Sequence, residues 1–393
     1  MPHRSVVVAG CGPVGLLTAL GLAEAGVDVT VLEAMPRITA APHDMVYPWA
    51  VLPGIERLGL LEDMRRAGLT VREWCFKVLR TGERIVFDLD TLADEVAHPY
   101  QLHLPQHLLT DIVTKRLNAI SHARVEWGTS LTGLRQDGHG VTVTTKGADG
   151  ARTIRAGWLV GADGAHSQVR RALGLGFAGL TWPMRFVSTD LRFDLSTLGF
   201  SETGYQLDLE HGALVARADR SGLWRYVYAE SRALPDETIP DRLPAVFKSV
   251  LPEGADPLLE GWSAYRVHER VAERFRVGRV MLAGDAAHVT NPTGAHGLAC
   301  GLFDAFVLTE ALAAVVHGQA DDAVLDRYAR ERRRVFLDSA SPLSSESMRL
   351  VFHADSEPWL DKEIARYRSV AVDPELRRDH LLLSGDMRST SVL

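Results

Sequence analysis

Val6-Val7-Val8-Ala9 is an unbroken, largely β-branched apolar run, the pattern of a strand buried on both faces. Leu16 to Ala25 reads as a helix ending near Gly26, and Val27 to Leu32 as the next strand. Two further apolar runs, Trp158-Leu159-Val160 and Gly278 to Ala283, also end in glycine turns. A helix is expected from Gly297, with Leu298, Leu302, Ala305, Phe306 and Leu308 on its apolar side. Between Gly174 and Arg276 the period changes to two. Phe186 to Phe193, Tyr205 to Leu209, Ala213 to Ala218 and Leu223 to Tyr228 read as short antiparallel strands, joined by Glu73 to Leu79 and Arg84 to Phe87. The pattern predicts an α/β chain: a Rossmann-like domain with a second, mainly antiparallel β-sheet domain. The first is expected over 1–72, 98–178 and 277–393, including C-terminal helices, and the second over 73–97 and 179–276.

The turns carry the chemistry. Gly10-Cys11-Gly12-Pro13-Val14-Gly15 stands between strand and helix, the context a dinucleotide fingerprint requires. Gly10 permits the tight turn, Gly12 leaves room for a pyrophosphate, and Gly15 lets the helix lie close to the strand. Pro13 and Val14 open the helix, whose free N–H groups and positive dipole end suit phosphate. Glu33, 18 positions after Gly15 and followed by Ala34, is placed to bind a ribose diol and disfavours a 2′-phosphate. In Gly161-Ala162-Asp163-Gly164, Asp163 and Ser167 are each placed to cap the helix that follows. Gly284-Asp285 closes the third run at a strand's carboxyl end, where a carboxylate suits cofactor hydroxyls. Pro292 and Gly294 are expected to hold the next stretch extended, and Gly297 and Leu298 to aim N–H groups at a cofactor. His288 reads as a turn-stabilising residue. Three such turns point to one large nucleotide cofactor held by distant segments.

The net charge of −7 excludes a nucleic-acid binder with a basic face. Arg332-Arg333-Arg334 is the only tight basic run and reads as a solvated helix face or as local ion pairs. Cys11, Cys75 and Cys300 have no metal or redox spacing, so no metal site is expected and a reducing, cytoplasmic setting fits. No apolar segment is expected to reach the roughly 20 residues a bilayer span needs. Nothing in the sequence marks an oligomer interface.

The three turns, in this order, resemble the flavoprotein aromatic hydroxylases of the p-hydroxybenzoate hydroxylase fold. The resemblance implies tightly bound FAD, transient NADH or NADPH, and O₂ used through a flavin C4a-hydroperoxide to hydroxylate an aromatic or polyketide-like molecule. It implies that Gln106, in Leu104-Pro105-Gln106-His107-Leu108-Leu109, touches the flavin, that the segment at Asp163-Gly164 binds both the FAD and the visiting nicotinamide cofactor, and that the Pro292 backbone faces the reacting edge of the ring. Where relatives carry an arginine this chain has His43 or Asp44, with Arg37 a substitute; where many read Gly-Gly-Gln-Gly-Met-Asn it has Gly294-Ala295-His296-Gly297-Leu298-Ala299. Candidate catalytic residues are Pro292, His296, Tyr205 and Tyr226; Tyr228, Arg217, Arg225, His211 and Trp224 are further pocket candidates, with Tyr47, Trp49 and His98 from the other domain. Competing readings are an epoxidase, a reductase, a halogenase, a non-catalytic flavin or NAD sensor, and a plain NAD dehydrogenase. The halogenase motif is absent, and Lys77 reads as a surface residue.

Overall fold

The computed structural model describes residues 4–37, 45–389 and 391–393; His43 and Asp44 lie outside them. A six-stranded sheet runs in the order Arg276–Val277, Val280–Leu282, Trp158–Gly161, Ser5–Ala9, Asp28–Leu32, Ala123–Glu126. Its pairings are parallel except for the short hairpin at Arg276–Val277. Three adjacent strands, far apart in sequence, thus place their glycine turns side by side at one sheet edge. Helix Pro13–Glu24 follows the first turn and helix His296–Val316 the third. A separate antiparallel sheet, Ser130–Asp137, Gly140–Gly147 and Gly150–Ala156, precedes the middle turn.

The second large sheet has eight strands: His288–Val289, Leu258–Ala272, Phe177–Arg192, Leu223–Ser231, Ala213–Arg217, Thr203–Leu207, Glu73–Val78, Arg84–Asp88. All its pairings are antiparallel except Thr203–Leu207 with Glu73–Val78. The amphipathic helix Ile239–Val250 lays Ile239, Leu243 and Phe247 over one face, against Val187, Leu191, Trp224, Tyr226 and Tyr228. This corrects the expectation for Tyr226, Trp224 and Tyr228. The alternation holds, but their face is the one buried under the helix, and the opposite face, with Arg225 and Val227, looks toward the six-stranded sheet's side of the molecule.

Three other readings are corrected. His296–Val316 is long and apolar enough to cross a bilayer; here it is a core helix, mostly buried among the other elements. Arg332 is fully buried rather than solvated, while Arg334 is exposed and pairs with Glu331 and Asp338. Lys77 is buried too, its ammonium bonded to the Leu198 carbonyl and lying 4.7 Å from the Phe200 ring centroid.

Candidate active site

A cavity runs along the sheet edge, walled by Gly12, Pro13, Val14, Gln106, Asp285, Gly297 and Leu298. Gly10 has φ +105°, and a Cβ on Gly15 would lie 2.2 Å from the Gly10 carbonyl oxygen, so strand and helix touch through bare backbone. A Cβ on Gly12 would meet no atom within 4 Å; the space beside it is the cavity itself. Glu33 is half-buried, its carboxylate accepting the Cys11 and Met35 N–H groups at 2.8 Å each. Ala34 and Arg37 are exposed and stand off the cavity wall. Asp163 accepts from the Gln168 and Val169 N–H groups at 2.7 and 3.1 Å, while Ser167 caps Arg170 at 2.9 Å. The Asp163 carboxylate is therefore engaged in the cap, and its neighbours Ala162, Gly164, Ala165 and His166 form the wall.

Asp285 opens into the cavity and makes no hydrogen bond among the described residues. The surrounding protein raises its pKa by desolvation; His288 opposes this and Asp304 adds to it, and its exposure to the cavity softens the effect. Gly284 is fixed by a network that sequence reasoning missed. Fully buried Asp304 accepts from the Gly284 N–H at 2.9 Å, from His288 at 2.7 Å and from Arg332 Nε at 2.7 Å. Arg332 also donates to the Met387 and Cys300 carbonyls at 2.8 and 3.0 Å. Burial alone would lower the His288 pKa, but the Asp304 carboxylate overrules it and holds the ring protonated. A lone aspartate among the apolar positions of a long helix was the available signal.

Residues 292–295 form a tight turn, not the extended stretch expected. The Ala295 N–H donates to the Pro292 carbonyl at 3.1 Å, with φ +87° at Gly294 and +58° at Ala295. The backbone reverses so that the next helix can start at His296, one residue earlier than expected, pointing the Gly297 and Leu298 N–H groups at the cavity. Left-handed backbone at a non-glycine residue costs about 1–2 kcal/mol and marks functional sites.

Pro292 also walls a second, smaller cavity between this turn and the inner face of the eight-stranded sheet. Gln101, Thr203, Tyr205, Arg225 and Val227 line it. Its polar wall is internally ordered. His103 Nδ1 lies 2.8 Å from the Arg217 carbonyl, so that nitrogen carries the proton and Nε2 accepts from Thr203 Oγ1 at 2.8 Å. Thr203 in turn accepts from Gln101 Nε2 at 2.5 Å. Burial pushes the His103 pKa down to about 4, against the pull of the carbonyl bond, so the ring is neutral. Arg225 is held by Asp190 through two bonds of 2.8 and 3.0 Å. Burial pushes the Tyr205 hydroxyl up to about 12, leaving it a proton donor at neutral pH. Tyr226 is excluded from this wall, and His211, Arg217 and His98 do not line it; His98 pairs with Glu56 at 2.9 Å. His296, Trp49 and Tyr205 line an adjoining chamber.

The cavity along the sheet edge fits a flavin nucleotide: open space beside Gly12, two helix N-termini and an unengaged carboxylate at Asp285. Residues 3–339 match the FAD binding domain family. The chain belongs to the FAD-dependent aromatic monooxygenases. Within that family it is 41% identical, over 96% of both chains, to 6-hydroxy-3-succinoylpyridine 3-monooxygenase of Pseudomonas putida (strain DSM 28022 / S16). It is 37% identical to para-nitrophenol 4-monooxygenase of Pseudomonas sp. (strain WBC-3), over 96% of this chain and 94% of that one. The crystal structure of p-nitrophenol 4-monooxygenase from Pseudomonas putida DLL-E4 superposes with a TM-score of 0.95, 35% identity and 98% coverage of both chains. Aklavinone-11 hydroxylase in complex with FAD and aklavinone matches with a TM-score of 0.79 and 29% identity, over 91% of this chain and 71% of that one.

Proposed function

We propose that this monooxygenase takes electrons from NADH or NADPH and hydroxylates a ring that already carries a hydroxyl group, seated in the cavity between Pro292 and Tyr205. The observation that carries this reading is the shared wall: Pro292 belongs both to the nucleotide cavity and to the smaller cavity beside it. A flavin held in the first cavity would reach the second only past Pro292, which lines both. The FAD, when bound, supplies the oxygen-activating chemistry.

The roles of this chain's residues follow from their chemistry. Gly12, Pro13 and Val14 receive the pyrophosphate at a helix N-terminus, and Glu33 receives the adenosine ribose by exchanging its backbone partners for hydroxyls. Asp285 receives flavin-chain hydroxyls, and the N–H groups of Gly297 and Leu298 favour negative charge on the flavin. Gln106, on the same wall, meets the flavin ring. Protonated Tyr205 donates a hydrogen bond to the substrate oxygen and so polarises the ring. Arg266 lines the nucleotide cavity beside His268, whose pKa is lowered by burial and then by Arg270, His166, Arg232 and Arg266; the three guanidinium groups suit the pyrophosphate of a visiting nicotinamide nucleotide. The six-stranded sheet then belongs to a nucleotide domain of segments 1–72, 98–178 and 277–393, and the eight-stranded sheet, apart from its edge strand His288–Val289, to a substrate domain of 73–97 and 179–276. Three buried, unpaired cysteines fit a reducing, cytoplasmic setting.

Two measurements on the purified protein test this. Denaturation releases FAD at about one per chain, and a panel of para-substituted phenols accelerates NADH or NADPH oxidation. Bound FAD with nucleotide oxidation indifferent to every phenol would contradict the proposed substrate class.

A further inference from the structure

The substrate cavity does not end at Tyr205. Pro48, Gln101, Thr203, Tyr205 and Gly294 wall both it and a second chamber. The chamber's inner side is aromatic, with Trp49, Trp74, Phe76 and Tyr205; Trp74 is stacked on Phe87 at 4.3 Å, and Phe76 meets Tyr367 at 4.6 Å. Its outer side comes from helices Ser341–Phe352, Glu357–Val372 and Pro374–Leu382, all beyond residue 339, where the family match ends.

Among the described residues the chamber wall offers no uncommitted cation. Among the described residues its only ordinarily charged wall groups are Glu346 and Arg366, bonded to each other at 2.7 Å, and Glu363 also accepts from Arg366 at 2.7 Å. His296 and His380 are neutral. Burial and then His380 depress His296 to about 4; burial and then Arg366 depress His380 to about 4, against Glu346. An entering anion would find one arginine already shared by two carboxylates. An uncharged, flat group would find aromatic walls and lose water contact.

We infer that this chamber is a distal substrate subsite, holding an uncharged aryl or acyl group attached to the ring that is hydroxylated. Preferred substrates are therefore neutral, two-part aromatics. The inference rests on the reading of the first cavity as the ring site.

The test uses the FAD-loaded enzyme and reads ligand affinity from the change in flavin absorbance. The ligands are 4-nitrophenol, 4-hydroxybenzophenone, and 4-hydroxybenzophenone carrying a 4′-carboxylate. Burial of the second ring predicts that 4-hydroxybenzophenone binds about tenfold or more tightly than 4-nitrophenol. The carboxylate removes that gain, and Leu343→Trp, which fills the chamber, brings the ratio close to one. Equal affinities in the unsubstituted enzyme would overturn the subsite and leave the chamber an access path. A ratio that survives Leu343→Trp would also overturn it. Should that variant fail to fold, the ratio and the carboxylate penalty in the parent enzyme still decide. Phenols that accelerate nucleotide oxidation without any such preference would sink the subsite alone; phenols that neither bind nor accelerate it would sink the ring site as well.

Discussion

Asp304 ties three segments together through one carboxylate: the Gly284 turn, His288 and Arg332. Asp304→Asn leaves the Arg332 charge buried without its counter-ion, and a loss of about 3–5 kcal/mol is expected, read by urea denaturation of the apo and FAD-loaded forms. The network also sets a pH dependence. Burial would raise the Asp304 pKa, but protonated His288 and Arg332 hold it below the ordinary range, so its contribution is present above about 3.9 and is lost as pH falls further. The raised His288 pKa contributes stability that is complete below about 6.5 and is lost as pH climbs through the higher folded-state value. The melting temperature should thus fall on the alkaline side, and His288→Asn should flatten that slope. The two tyrosines separate by position. Tyr205→Phe should lower kcat/KM roughly tenfold or more by removing the donor to the substrate. Tyr226→Phe, under the helix Ile239–Val250, should leave kcat/KM in place. It loses the Gln206 bond of 3.1 Å and about 1 kcal/mol of stability.

At the scale of elements, the nucleotide turns were legible because each demands particular residues at fixed spacing. A Cβ at Gly15 has no room and one at Gly12 has no obstacle, so the two glycines make opposite predictions. Gly15→Ala should lower the melting temperature of the apo protein. Gly12→Ala should fold with an unchanged melting temperature yet bind FAD more weakly by roughly tenfold or more, measured by flavin fluorescence titration. The substrate sheet was legible in its period but not in its facing. Alternation assigns Trp224, Tyr226 and Tyr228 to one side, and only the helix Ile239–Val250 decides that this side is the core. Leu258–Ala272 escaped notice because its run, with Glu260, Arg266, His268, Glu269 and Arg270, has too few apolar positions to show a period. The stretch 292–295 was expected to be held extended by Pro292 and Gly294; the reversal is set by the left-handed backbone at Gly294 and Ala295.

Across the whole molecule, one sheet edge gathers three turns from residues near 10, 163 and 284, and the other large sheet closes over the end of that groove at Pro292. The first part was readable from sequence, since each turn carries its own signature. The second was not, because a cavity shared between Gln101, Tyr205, Arg225 and Pro292 exists only after distant strands pair. The outer wall from the C-terminal helices was equally hidden, as those residues follow ordinary amphipathic patterns. The claim that joins these parts is that a flavin at the first cavity delivers oxygen to a ring in the second. It is tested most directly by turnover under ¹⁸O₂ with the phenol that most accelerates NADH or NADPH oxidation. One labelled oxygen in the product for each nucleotide oxidised is the predicted result. Unlabelled aromatic recovered intact, with every electron pair appearing as hydrogen peroxide, would contradict it.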